Sequence, residues 1–420
     1  MDRSVVFNFW LISLKIEIFL FYYNMESLGC RIGALPRDMQ KEIMLHVGDV
    51  SMAVLRYVVF ETAVEWDKFA DLTVVYTSGI RFFEWVYNIK TVKIDLFIAA
   101  TLGDFDIIKF LVDKYATADI CGGLALSGRL DLLKWARSEG CDWDKWTCVA
   151  AAKGGHLDVL KWARSMGCPW GTDTCASAAG GGHLDVLVWA RANGCEWDET
   201  TCFYAAENGH LNVLKWAREN GCYIYEDTSA AAAMYGQLEI LKWLHQNGCP
   251  WDKWTCAWAA GGGHLEVLKW ARSMGCPWGT DTCVLAASSG HLDVLKWARS
   301  SDVPGERCSW NRMVCSEAAH KGHLDILAWA RENGCDWDET TCASAAGGGH
   351  LDVLKWARES GCPWDWRVCA NAVSGGHLNV LQWATIEGCD WDYSLMCMLA
   401  SAHGRVDILK WIKSNNPGRQ

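Results

Sequence analysis

The sequence predicts an all-α repeat solenoid, built of short helix–turn–helix units stacked in register behind a small helical N-terminal segment. Three observations predict it. The string GHLDVLKWAR begins at Gly155, and close copies begin at Gly128, Gly182, Gly209, Gly236, Gly263, Gly290, Gly322, Gly349, Gly376 and Gly404. From Gly128 to Gly290 the spacing is 27 residues every time, and it then runs 32, 27, 27 and 28. Within each copy the apolar residues fall three and four apart, the period of a helix. A chain of 420 residues would otherwise be read as two or three globular domains, but a solenoid grows by adding units without enlarging one core. A weaker copy, GDFDIIKFLV at Gly103, brings the count to twelve units, with a degenerate one around Gly79.

The N-terminal region comes first in the chain. Residues 5–23 (VVFNFWLISLKIEIFLFYY) are apolar but are interrupted by Lys15 and Glu17 and lack a small-residue cleavage site. Residues 1–24 are read as a hydrophobic extension, either absent from a protein that starts at Met25 or serving as a tether. In residues 25–75, Pro36 sits near a helix start, and Met39, Ile43, Met44 and Val47 fall at helical spacing. Leu55, Val58 and Val59 mark a second helix. This segment resembles an F-box, whose pattern begins LPxE. Leu35, Pro36, Ile43 and Val47 fit, Asp38 stands where Glu is usual, and the later part departs from the pattern. The resemblance implies docking onto the adaptor subunit of a ubiquitin ligase. Without it, the segment is a helical cap that shields the first repeat. Residues 76–420 are assigned to the solenoid.

One unit shows how the elements arise. Thr201, Cys202, Phe203, Tyr204, Ala205 and Ala206 form a short helix with small residues toward its neighbour. Asn208 and Gly209 end it, as Asn and Gly do at helix C-termini. A second helix follows His210, with Leu211, Val213, Leu214, Trp216 and Ala217 as one apolar stripe, while Lys215, Arg218 and Glu219 lie off it. Gly221 stops that helix. So small a unit buries too little surface alone to offset its ordering entropy, so neighbours are obligatory.

These residues resemble the ankyrin repeat, whose pattern is TPLHxAAxxGHLEIVKLLLxxGA. Residues 200–206 (TTCFYAA) match its first half and residues 209–221 (GHLNVLKWARENG) its second, over roughly residues 95–415. The departure is in length, 27 residues here against about 33 in the family. The missing residues fall between the two helices of successive units, where ankyrins project a β-hairpin and this chain has only GCEWDE (194–199). A short loop is therefore expected in place of each hairpin, with little or no sheet. Short units rich in Trp and Cys resemble those of large DNA viruses and some protists, which implies the cytoplasm, the host's if the source is viral.

Composition narrows the function. The net charge is −11, of which residues 1–94 carry 10 basic and 11 acidic side chains, leaving −10 on the array. An acidic solenoid repels phosphate, so nucleic acid is not an expected partner and weakly basic proteins are. No membrane span is expected, and a capped solenoid is expected to be monomeric. Twenty-one Cys, an odd number at repeating positions, fit reduced buried thiols better than a disulfide scaffold.

Each repeated polar or aromatic residue has a functional and a structural reading. Cys141/Cys148, Cys168/Cys175, Cys195/Cys202, Cys249/Cys256, Cys276/Cys283, Cys335/Cys342 and Cys362/Cys369 are too widely spaced for zinc, so packing is expected and no metal or other cofactor. The loop tryptophans Trp143, Trp170, Trp197, Trp251, Trp278, Trp310, Trp337, Trp364 and Trp391 could form a stacking ladder for bases or sugars. Alternatively they cover the edge left by the missing hairpin, with the following Asp (Asp198) capping the next helix. The His of each GH could act as a base beside a Cys, but a pairing in nearly every unit is not a catalytic constellation. A hydrogen bond from the ring to nearby backbone is expected instead, and no enzyme activity. The GGG runs lack a following Lys-Ser/Thr and are not phosphate loops.

Residues 141–175 and 249–283 are offset by 108 and differ at five of 35 positions. Three of these (Val149/Ala257, Ala150/Trp258, Lys153/Gly261) lie on the first helix, which in ankyrins lines the concave face. The frame repeats while the expected binding face varies. On that basis a protein partner is read by Phe203, Tyr204, Glu207, Met234, Tyr235, Trp258, Leu285, Glu317, His320 and Lys321. Trp146 and Trp254, three residues after a loop Trp, join them. Five extra residues within 300–308 enlarge one loop, either for contact or as slack.

Overall fold

The computed structural model of the chain describes residues 96–101, 105–115 and 117–415. The extension at 1–24, the segment at 25–75 with Leu35, Pro36, Ile43 and Val47, and the degenerate unit around Gly79 lie outside the described residues. What is described is all helical: twelve pairs of short helices, with no strand among the described residues. It forms two compact blocks. The first ends at Trp197 and holds four pairs, from Leu96–Thr101 with Phe105–Lys114 to Thr172–Gly180 with Leu184–Ala192. The second begins at Asp198 and holds eight, from Glu199–Glu207 with Leu211–Glu219 to Tyr393–Ala402 with Val406–Ser414.

Within each block, first helices pack on first helices. Their touching sides are alanines with no exposed surface, such as Ala151 and Ala152 or Ala259 and Ala260, which let the backbones approach closely. The second helices bury Val159, Leu160 and Ala163, or Val267, Leu268 and Ala271. The apolar stripe is narrower than expected, because Leu211 and Trp216 are only half-buried. Tryptophan is too large for the space between two second helices and sits at its rim.

The rim explains the Trp content. Six loop tryptophans, Trp143, Trp170, Trp278, Trp310, Trp337 and Trp364, are each bracketed by an Arg and a second Trp. Arg137, Arg164, Arg272, Arg299 and Arg358 lie over Trp143, Trp170, Trp278, Trp310 and Trp364, with guanidinium carbons 4.2–4.3 Å from the ring centres. The edge meets the helical Trp of the same unit, as in Trp143–Trp162 at 5.6 Å and 65° or Trp278–Trp297 at 5.9 Å and 63°. The same arginines also donate to the carbonyl of the loop Cys, Arg299 to Cys308 at 2.6 Å and Arg358 to Cys362 at 3.0 Å. A guanidinium thus covers one face of each of these rings, which remain half-buried at the loop edge. Asp144, Asp252 and Asp338 cap the first helices through Trp146 N, Trp254 N and Thr340 N at 2.9–3.0 Å. Gly171 and Gly279 stand at the same place in two units and give no side-chain cap.

The joint between units is a Gly–His pair. Gly155 and Gly263 adopt φ of +77° and +75°, and each packs its bare Cα against the imidazole of the next unit, His183 and His291. The ring reaches back to the carbonyl at the end of the preceding unit's first helix: His156 to Leu126 at 3.0 Å, His183 to Lys153, His291 to Gly261 and His377 to Gly347 at 3.1 Å. A carbonyl only accepts, so Nε2 carries the proton. Gln237 makes the same bond to Glu207 O at 3.3 Å. We predict that His291→Ala lowers stability by about 1–2 kcal/mol, the loss expected when a carbonyl is orphaned. His291→Gln should recover most of it, because Gln237 already does this job. Hydrogen exchange read by mass spectrometry in Lys253–Gly261 and Thr280–Ser288 checks both.

The cysteines pair differently from their sequence spacing. Cys148 faces Cys168 of the next unit and Cys256 faces Cys276, their thiols 4.0 and 3.9 Å from the partner's carbonyl oxygen. The loop thiols donate back to the preceding unit, Cys168 to Asp144 O and Cys335 to Asn311 O at 3.3 Å. Hydrogen bonding to Cys276 and burial both push the Cys256 thiol up, and Cys308 and burial do the same to Cys283. Among the described residues every Cys is unbridged, and no group of three or more His, Cys, Asp or Glu is placed to hold a metal ion. No described helix is long and apolar enough to cross a membrane.

One unit breaks the pattern. Ile224 replaces the loop Trp, so Arg218 turns to the next unit, donating to Asn247 O at 2.7 Å and meeting Cys249 Sγ at 3.3 Å. His245 takes the Arg place over Trp251, stacked at 4.1 Å and 24°. Ser229 replaces the helical Cys and donates to Pro250 O at 2.9 Å. In the enlarged loop at 300–308, Val303 is buried and Pro304 O accepts from Arg272 at 3.1 Å, while Ser301, Asp302, Glu306 and Arg307 are exposed.

Candidate partner-binding face

The first helix has one free side. In Glu199–Glu207, Thr201, Cys202, Ala205 and Ala206 are buried against neighbours, which turns Thr200, Phe203, Tyr204 and Glu207 outward at spacings of three and four. The same side of Lys253–Gly261 carries Trp254 and Trp258, with ring centres 6.4 Å apart and tilted by 33°. Successive units continue this side, because the end of one first helix meets the middle of the next. Leu285 Cβ lies 3.3 Å from where a Cβ of Gly261 would be. Ser288 donates to Glu317 at 3.3 Å, and His320 Nδ1 lies 3.3 Å from Ser344 O.

The residues expected to read a partner are placed as follows. Tyr204, Met234, Tyr235, Trp254, His320 and Lys321 are exposed, and Phe203, Glu207, Trp258, Leu285 and Glu317 are half-buried, all in the second block. Trp146 is exposed in the first, with Lys145 Nζ 4.8 Å from its ring centre. Part of the unit-to-unit variation has another cause. Val149, Ala150 and Ala257 are buried, so those changes adjust packing and not the face.

Charge adds residues that the sequence analysis passed over. Glu199, Glu226 and Asp227 open two adjacent first helices and are exposed. Comparing the charge of equivalent positions unit by unit would have found them. Tyr235 lies against Glu207, and hydrogen bonding to that carboxylate and its charge push the phenol up. Glu207 Oε2 is shielded from solvent and has no hydrogen-bond partner.

A family model described as "Ankyrin repeats (many copies)" matches residues 230–272 and 315–358. Among solved structures, the chain is similar to the human ASB11 ankyrin repeat domain, at 17% identity and a TM-score of 0.32, over 37% of this chain and 84% of that one. It is also similar to the pentatricopeptide repeat protein PPR10, solved in complex with an 18-nt psaJ RNA element, at 15% identity and a TM-score of 0.36, over 98% of this chain and 68% of that one. Scores this low carry no weight for fold or function. No curated protein matches the chain.

Proposed function

We propose that the chain, which matches an ankyrin-repeat family model over residues 230–272 and 315–358, is a non-catalytic ankyrin-type scaffold that binds a protein partner on the outward side of its first helices. Ankyrin repeats mediate protein–protein interaction. The observation that carries the reading is the set of exposed rings at Tyr204, Tyr235 and Trp254. Other units place Ser177, Gly181 and Asp173 at the equivalent positions, so stacking does not require rings there. Buried, unbridged cysteines throughout the described residues fit a cytoplasmic location, and the Arg contacts at the loop edges leave the first helices as the more open side. The F-box resemblance of residues 25–75 extends the reading to a ubiquitin-ligase substrate receptor, in which that segment docks the adaptor and the first-helix side selects the substrate.

The test is affinity purification of three full-length proteins. Tyr204→Ala/Tyr235→Ala/Trp258→Ala is expected to lose a partner that the parent retains. Leu35→Ala/Pro36→Ala is expected to lose ligase subunits and keep that partner. If no ligase subunit accompanies the parent, the protein is a scaffold or a tethered ankyrin protein without a ligase role. If the triple variant retains every partner, the first-helix side is not the binding face.

A further inference from the structure

The first helices Glu199–Glu207 and Glu226–Met234 carry four carboxylates, Glu199, Glu207, Glu226 and Asp227, and no lysine or arginine. None of the four enters an ion pair among the described residues. Elsewhere the same positions are balanced. Lys145 pairs with Asp173 at 2.7 Å and Lys253 with Asp281 at 2.8 Å, each from the first turn of one first helix to the next. Glu199 holds the position of those lysines and Asp227 that of the aspartates. The common register thus sets carboxylate beside carboxylate where two other joints place a cation beside an anion. Like charges so placed repel, which offsets part of what Glu199, Glu226 and Asp227 gain from standing in the first turns of their helices.

The surroundings are equally specific. Tyr235 borders Glu207 and hydrogen-bonds to its carboxylate, and Glu207 Oε2 is shielded from solvent, so a ring and a carboxylate share one spot on this side. Met234, Trp254 and Trp258 follow along the same side. Aromatic faces attract ammonium and guanidinium groups, carboxylates bond them directly, and the methylene stems of Lys and Arg pack on rings.

We propose that this side of residues 199–258 binds an extended basic segment of the partner protein. One Lys or Arg sits at the Glu199–Asp227 joint, a second at Glu207 beside Tyr235, and an apolar side chain lies on Trp254 and Trp258. The proposal rests on the reading that the first-helix side binds protein, and adds the chemistry of what it binds.

Fluorescence anisotropy of the full chain at physiological salt tests it. The probe is a short labelled peptide in which Arg and Lys alternate with Leu and Phe, compared with the same peptide carrying Glu at every basic place. The basic peptide is expected to bind at least about tenfold more tightly. Neutralising the face (Glu199→Gln, Glu207→Gln, Glu226→Gln, Asp227→Asn) should weaken binding by about tenfold or more. Neutralising four second-helix carboxylates (Glu239→Gln, Glu266→Gln, Asp293→Asn, Asp325→Asn) should change it by less than about twofold. Equal weakening by the two sets reduces the effect to overall charge and overturns the proposal, as does equal binding of the acidic peptide. Purification of natural partners separates the two levels. Partners lost by Tyr204→Ala/Tyr235→Ala/Trp258→Ala but kept by the neutralised face overturn the basic chemistry alone. Partners kept by both overturn the binding-face reading and this proposal with it. Thermal melts by circular dichroism establish that each variant is folded.

Discussion

Gly263→Ala is expected to destabilise its surroundings by roughly 3 kcal/mol, while Gly275→Ala, one residue type and one φ apart by little, costs only about 1–2. Gly263 has φ +75° and Gly275 φ +81°, so both substitutions incur the left-handed penalty of a side chain. They differ in what a Cβ would meet. At Gly275 there is nothing within 4 Å, whereas at Gly263 the His291 ring is 2.6 Å away. The ring must move, and it then releases the Gly261 carbonyl. Long repeat arrays do not unfold in one step, so a single melting temperature is the wrong readout. Hydrogen exchange read by mass spectrometry should show lost protection in Lys253–Gly261 and Thr280–Ser288, with Arg367–Gly375 unchanged. Equal effects of the two substitutions would remove the imidazole from its role as the joint.

Thiol labelling should separate the cysteines into two sharply distinct classes. Of the described cysteines, only Cys249 and Cys397 are partly exposed. With Cys30, which lies outside the described residues, replaced by Ser, these two should react with an alkylating reagent under native conditions. The rest should react at least about 10³-fold more slowly, the factor that corresponds to a local opening of roughly 4 kcal/mol. Burial pushes the Cys249 thiol up and Arg218 opposes it, so its labelling should accelerate on moving to more alkaline pH. Peptide mapping after a brief exposure gives the answer. Rapid labelling at Cys148 or Cys256 would mean that the units open far more readily than their packing implies.

Much of this architecture was legible in the sequence, because period and geometry are the same thing in a stacked array. The helix pairs, the loops without strands, the Asp caps and the His-to-backbone bond all follow from residues that recur every 27 positions. What stayed hidden depends on which unit touches which. Cys141 and Cys148 invite pairing by proximity in sequence, yet Cys148 meets Cys168, because the loop of the next unit folds over the first helix of the one before. Trp216 scores as core in any periodic plot and lies at the rim, because ring size decides its place. On the candidate face, rings stood out against small residues in the equivalent units. The carboxylates at Glu199, Glu226 and Asp227 did not, since an exposed acid is ordinary until its neighbour is known to be another acid.

Where the period is 27, the bonds that join units reach back a constant distance along the chain: 24 residues for Cys335 to Asn311, and 30 for His291 to Gly261. That separation does not grow as units are added. The loop-closure entropy of each joint therefore stays the same as the array lengthens. Copying a stretch of coding sequence in whole multiples of the period inserts ready-made joints at both ends. The near-identity of residues 141–175 and 249–283, four periods apart, is what growth by such copying leaves behind. The architecture can thus lengthen first and diversify its outward side afterwards, with the joints held constant.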